Sequence, residues 1–241
     1  MKRVMAIGAH PDDVEFGCSG TLVKHCKNND FVVYVCMTSS PSIDVTTGET
    51  IRSESELTDE VSLATDTLGI KVTEFLQFKD LHVPFNLESV SSLEKLIKKY
   101  EIDTIYTHWA GDSNQDHIAT FKTTMAAARY VPNVFCYEQI PIPRHTENPM
   151  AINYYSDITE TFDNKIKASK CHKSQFVKYK KAGFDVAKNL KIMAQYRGIE
   201  ANCKYAEGFH IIKRFLYIIT KIIKRLHTLR CYNFIKFTLD M

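Results

Sequence analysis

Residues 3–9 (RVMAIGA) and 31–38 (FVVYVCMT) are short, almost wholly apolar and rich in β-branched side chains, the pattern of strands buried on both faces. Between them, apolar residues at 22, 23 and 26 mark a short helix over 20–29, closed by Asn28 and Asn29. After a polar loop at 39–52, the spacing predicts a helix over 53–68 that stops at Leu68-Gly69, where glycine can take the left-handed cap conformation. Strand 72–76, helix 88–100, strand 102–107, helix 117–130 and strand 133–138 follow in turn. This alternation predicts an α/β fold, a Rossmann-like and mostly parallel sheet with helices on both faces. Residues 141–149 contain three of the seven prolines and read as a rigid irregular loop. Helices over 160–180 and 185–197 are expected to complete one domain, 1–212, followed by a tail, 213–241. In such sheets ligands gather beyond the carboxyl ends of the strands, so the chemistry is sought directly after them.

Two post-strand segments carry it. The first is Ala9-His10-Pro11-Asp12-Asp13-Val14-Glu15, an imidazole and three carboxylates on one strand-to-helix turn. Crowding them is costly unless a cation sits there; the bland alternative is a solvated acidic turn that caps the next helix. A dinucleotide site is disfavoured, because the later glycines of G-x-G-x-x-G are replaced by acids that would repel a pyrophosphate. The second segment runs from His108-Trp109 to Asp112-Ser113-Asn114-Gln115-Asp116-His117. If the two loops meet, His10, Asp13 and His117 form a two-histidine, one-carboxylate set with a position left for water. Asp12, whose side chain diverges from its neighbour's, is then available as a general base. His108, Glu138 and Asp80 end strands and are candidates to face the substrate. His172, with Ser174 and Gln175 on a polar helix, reads as a surface residue.

The A-H-P-D-D-x-E turn joined to a later D-H at a helix start resembles the LmbE/PIG-L family of zinc-dependent N-acetylglucosaminyl deacetylases. Leu68-Gly69, Tyr137-Glu138, Tyr155-Ser156-Asp157-Ile158 with Lys165, His172-Lys173-Ser174-Gln175, Arg197-Gly198 and Tyr205-Ala206-Glu207-Gly208-Phe209 extend the likeness to about residue 212. The resemblance implies zinc on His10, Asp13 and His117, Asp12 as the base, and a substrate-contacting arginine for which Arg52 is the candidate. It also implies removal of an acetyl group from an N-acetylated sugar of a glycan, glycolipid or glycoside. One position departs: where the family often has an oxyanion-stabilising histidine oriented by the following acid, this chain has Asn114, with Asp116 retained. Asparagine still donates a hydrogen bond but cannot become a cation. The same ligand set accepts iron or manganese, and hydrolysis of another small amide or carbamoyl-type bond, or a metal-holding scaffold without turnover, would also use it.

Composition narrows the setting. The 241 residues are ordinary globular in usage. Seven scattered cysteines without a C-x-x-C pair favour a reducing compartment, and the first residues lack the features of a signal peptide, so a cytoplasmic protein is expected. The net charge of +3 divides into a body near −3 and a basic segment, 209–241, near +6, which gives no case for nucleic-acid binding. Apolar residues from Phe209 to Leu229 repeat at a spacing of three to four, predicting a basic amphipathic helix. Such a helix either lies on the inner membrane surface or packs on its own domain or a second copy.

Overall fold

The computed structural model describes residues 1–44, 46–140 and 148–215. Five parallel strands, β1 (Arg3–Gly8), β2 (Phe31–Thr38), β5 (Val72–Phe78), β6 (Thr104–Thr107) and β7 (Asn133–Tyr137), form most of one seven-stranded sheet, while β3 (Ser42–Ile43) and β4 (Thr50–Arg52) pair with each other outside it. It is completed by β8 (Tyr154–Asp157) and β9 (Ala206–Lys213), and its order is β5-β2-β1-β6-β7-β9-β8. The expected α/β, Rossmann-like class is therefore the observed one. In β1, Val4 and Ala6 pack into one core and Met5 and Ile7 into the other, so the strand is apolar at every position because both faces are covered.

The helices are α1 (Asp13–Gly17), α2 (Ser19–Lys27), α3 (Glu54–Leu68), α4 (Leu87–Lys99), α5 (Gln115–Ala127), α6 (Phe162–Cys171), α7 (Lys173–Lys181) and α8 (Val186–Ala201). Ser53 and Glu56 form a reciprocal cap at the start of α3, and Gly69 ends it at φ 77°.

Four expectations are corrected. The helix over 160–180 is two helices broken at His172, because Glu60 of α3 accepts hydrogen bonds from the Ser174 amide (2.7 Å) and hydroxyl (2.8 Å), capping α7 from outside. The polar loop 39–52 contains a small hairpin, β3 (Ser42–Ile43) with β4 (Thr50–Arg52). The strand β8 is not predicted by the hydrophobic pattern of the sequence. The tail's apolar repeat begins inside a strand: β9 pairs antiparallel with β7 (Phe209 opposite Tyr137) and with β8 (Phe209 opposite Tyr154). The boundary drawn after residue 212 thus cuts β9. Residues 216–241, where the rest of the amphipathic helix was expected, lie outside the described residues. Among the described residues no helix is long and apolar enough to cross a membrane.

Candidate metal centre and active site

The turn after β1 and the start of α5 come together at the carboxyl edge of the sheet. Alignment of β1 with β6 (Val4 opposite Thr104) brings residues 9–13 beside 108–117 despite the hundred residues between them. His10, Asp13 and His117 each present a ligand atom within 4.8 Å of the others. His117 Nε2 is 3.3 Å from Asp13 Oδ1, and His10 Nδ1 is 3.5 Å from Asp13 Oδ2.

The opposite nitrogen of each imidazole is held by carboxylates. His117 Nδ1 lies 2.9 Å from Asp112 Oδ2, while His10 Nε2 lies 3.1 Å from both Asp116 and Asp80. Carboxylates behind histidines in this way fix the ring and aim the free nitrogen at an ion. Two imidazole nitrogens and one carboxylate oxygen so aimed could hold a divalent metal ion such as zinc. The electrostatics agree that this spot wants positive charge. Burial opposes ionisation of both rings, yet Asp116, Asp13 and Asp80 raise His10 well above its usual value, and Asp13 and Asp112 raise His117 to about 9. Burial likewise works against the charge on Asp13, but His117, His108 and His10 outweigh it and hold the carboxyl well below the usual range.

Asp12 is buried and lines the cleft without belonging to that ligand group. Its backbone sits at φ 115°, an uncommon conformation for any residue but glycine. Arg52 supports the turn: its Nη1 donates to the Pro11 carbonyl at 3.2 Å and lies 3.5 Å from Glu60. Burial and the charge on Asp13 push Asp12 up to about 6, against the opposing pull of Arg52, His172 and His10. Asn114 caps α5, its Oδ1 accepting from the Asp116 amide at 2.8 Å, which leaves its amino group as the available donor on the cleft wall.

The cleft is about 400 Å³ and is walled by the two loops, the β3–β4 hairpin and α7. Of the residues expected to meet substrate, Arg52 and Asp80 line it, and Asp80 is turned to His10. His108 is fully buried behind Asp13, stacked on His117 with ring centroids 4.0 Å apart, and its Nε2 accepts from the Ala9 amide at 3.0 Å. Burial and His117 lower it to about 4, so it is a neutral packing partner of His117 and Asp13. Glu138 is taken up by Arg197, whose Nε donates to it at 2.8 Å, outside the cleft lining. Asp116 turns towards His10 rather than orienting residue 114. His172 is fully buried, 3.3 Å from Glu15, and not on the surface.

Asp112 and Gln139 were missed in the sequence. Gln139 lies two residues past the end of β7, and its Nε2 donates to Asp13 Oδ1 at 2.6 Å. Its position at a strand end was the available signal; Asp112 was visible as one of several acids before His117.

Residues 5–128, just over half of the chain, match the family described as PIG-L: GlcNAc-PI de-N-acetylase. The chain belongs to the PIG-L family. It is 34% identical over 179 residues to the uncharacterized deacetylase YaiS of Escherichia coli, covering 72% of this chain and 91% of that protein. It is 26% identical over 230 residues to the diacetylchitobiose deacetylase of Thermococcus kodakarensis, covering 88% of this chain and 84% of that protein. Among solved structures, 4-carboxy-2-hydroxymuconate hydratase of Pseudomonas putida superposes with a TM-score of 0.75 at 19% identity, covering 90% of this chain and 98% of that one. That last likeness is one of fold alone. Because the fold carries a hydratase as well as PIG-L deacetylases, the reaction has to be argued from the site.

Proposed function

We propose that this protein is a zinc-dependent hydrolase that removes the acetyl group from an N-acetylated amino sugar in a glycan, glycolipid or glycoside. The observation that carries the reading is the division of labour between adjacent acids. Asp13 belongs to the two-histidine ligand group, while Asp12 stands outside it in the same cleft. His10, Asp13 and His117 would hold the zinc. When bound, zinc supplies positive charge that acidifies a water and polarises a carbonyl.

Asp12 accepts a proton from the attacking water as its oxygen bonds to the acetamido carbonyl carbon. A carboxyl raised towards neutrality by burial is matched to that task. The Asn114 amino group donates to the carbonyl oxygen as it gains charge, a neutral donor in place of a cationic one. Asp12 then passes its proton to the nitrogen as the C–N bond breaks, leaving acetate and a free amine. Asp112, Asp80 and Asp116 hold the two rings throughout, and Arg52 fixes the Pro11 carbonyl so that Asp12 keeps its geometry. The sugar as substrate is supported by family membership and by the polar walls of the cleft.

The test is acetate release from free, nucleotide-linked and lipid-linked N-acetylglucosamine by zinc-loaded protein, with chelated protein as the control. Acetate from at least one of these, lost on chelation and restored by zinc, is expected. Absence of acetate from the whole panel, with turnover of another small amide, overturns the sugar assignment.

A further inference from the structure

The cleft is polar near the ligands, yet two of the protein's exposed large apolar side chains border it: Leu81, 37% exposed, and Ile43 of the β3–β4 hairpin, 50% exposed. Single exposed apolar residues are unremarkable, but these line one cleft together with Ile51, Ile140 and Tyr179.

Leu81 is also held in an unfavourable backbone conformation, φ 65°, where glycine or asparagine would sit with less strain. The turn around it is fastened to the metal centre. Gln115 Nε2 donates to the Leu81 carbonyl at 2.6 Å, and Asp116 accepts from the Val83 amide at 3.1 Å. Asp80 reaches His10 at 3.1 Å, and its amide donates to Ser40 at 2.8 Å. The residues on each side of Leu81 thus serve His10 or its supporting acid, whereas the leucine side chain serves none of these contacts. Backbone strain of this kind persists where the surroundings enforce it, and here it presents an apolar group to the substrate space.

We propose that Leu81 and Ile43 form an apolar platform for the aglycone, so that the protein favours N-acetyl sugars carrying an alkyl or aryl aglycone over the free sugar. The inference rests on the proposed sugar deacetylation and specifies its substrate class. A sugar hydroxyl or a phosphate placed on these two side chains would lose water without gaining a hydrogen bond. An alkyl or aryl group placed there covers apolar surface on both sides.

The experiment uses the zinc-loaded full chain and compares kcat/KM for N-acetylglucosamine with that for its α- and β-hexyl glycosides. In parallel, calorimetry measures the binding of hexyl glucosides, which have no amide to hydrolyse. Wild-type protein is expected to favour one hexyl glycoside by roughly tenfold or more, and Leu81→Asn to reduce that preference, and hexyl glucoside binding, by roughly tenfold. Asparagine tolerates the backbone at this position, so the thermal midpoint is expected to be unchanged or higher. Ile43→Ser should move the preference in the same direction. Equal kcat/KM for free and hexyl sugars in the wild type, or a preference that survives both substitutions, overturns the platform. If no N-acetyl sugar yields acetate, the proposed reaction fails, and the binding measurement alone decides whether the platform exists.

Discussion

Asp12→Asn is expected to lower acetate release by about two to four orders of magnitude, the usual contribution of a general base, while zinc remains bound. The substitution is conservative in every respect but the one it tests. Asparagine matches aspartate in size and is among the residues that best tolerate a positive φ, so the strained turn at φ 115° is kept. The proposed ligands His10, Asp13 and His117 are untouched, and so are the carboxylates that hold the two rings. What is lost is the acceptor for the water's proton. Zinc content and kcat measured on the same preparation separate the explanations. Loss of both would place Asp12 among the ligands, and retention of both would leave the proton to another group.

Lys165→Met is expected to destabilise the fold by about 3–5 kcal/mol, the cost of leaving a buried charge without its partner. Glu207 on β9 is buried at the start of α2, accepting from the Gly20 amide at 2.9 Å and the Thr21 amide at 2.8 Å. It performs the capping that Cys18, at the N-cap position, does not. Lys165 of α6 neutralises it at 2.7 Å and also donates to the Phe16 carbonyl at 2.6 Å. The pair therefore ties the last described strand to the helices that follow the turn proposed to bind the metal. In a chain of this size each kcal/mol moves the thermal midpoint by about 2–4 °C, so a drop of roughly 10 °C is anticipated. Glu207→Gln together with Lys165→Met should recover part of it, because the buried charge is then gone. A single-variant loss below about 1 kcal/mol would mean that water or another group compensates.

The two ligand loops were legible because their residue types are costly together and each follows an apolar run. A strand buried on both faces and a turn crowded with acids are written locally, and β1 and β6 needed only the rule that such loops meet at one sheet edge. Asp116 is expected from the family resemblance and Glu138 and His108 from their places at strand ends, but the direction of a side chain there is set by tertiary partners. Arg197 claims Glu138, and His117 stacks over His108. The break at His172 was hidden for the same reason, since its cause is a carboxylate on α3 more than a hundred residues earlier. β9 reads from the sequence as the start of a helix because Phe209, Ile211, Ile212 and Phe215 satisfy a helical spacing, while the pairing of Phe209 and Ile211 with β7 and of Phe209 with β8 is invisible from within the segment. The Glu207 and Lys165 positions, by contrast, were already part of the family likeness, and the structure supplies their reason.

In the proposed mechanism residues a hundred positions apart hold one ion. X-ray absorption at the zinc edge of the loaded protein tests it most directly, compared with His117→Ala. A coordination shell of nitrogen and oxygen with two imidazoles is expected in the wild type, and loss of one imidazole with much weaker binding in the variant. A shell containing sulfur, or one unchanged by removal of His117, would contradict it.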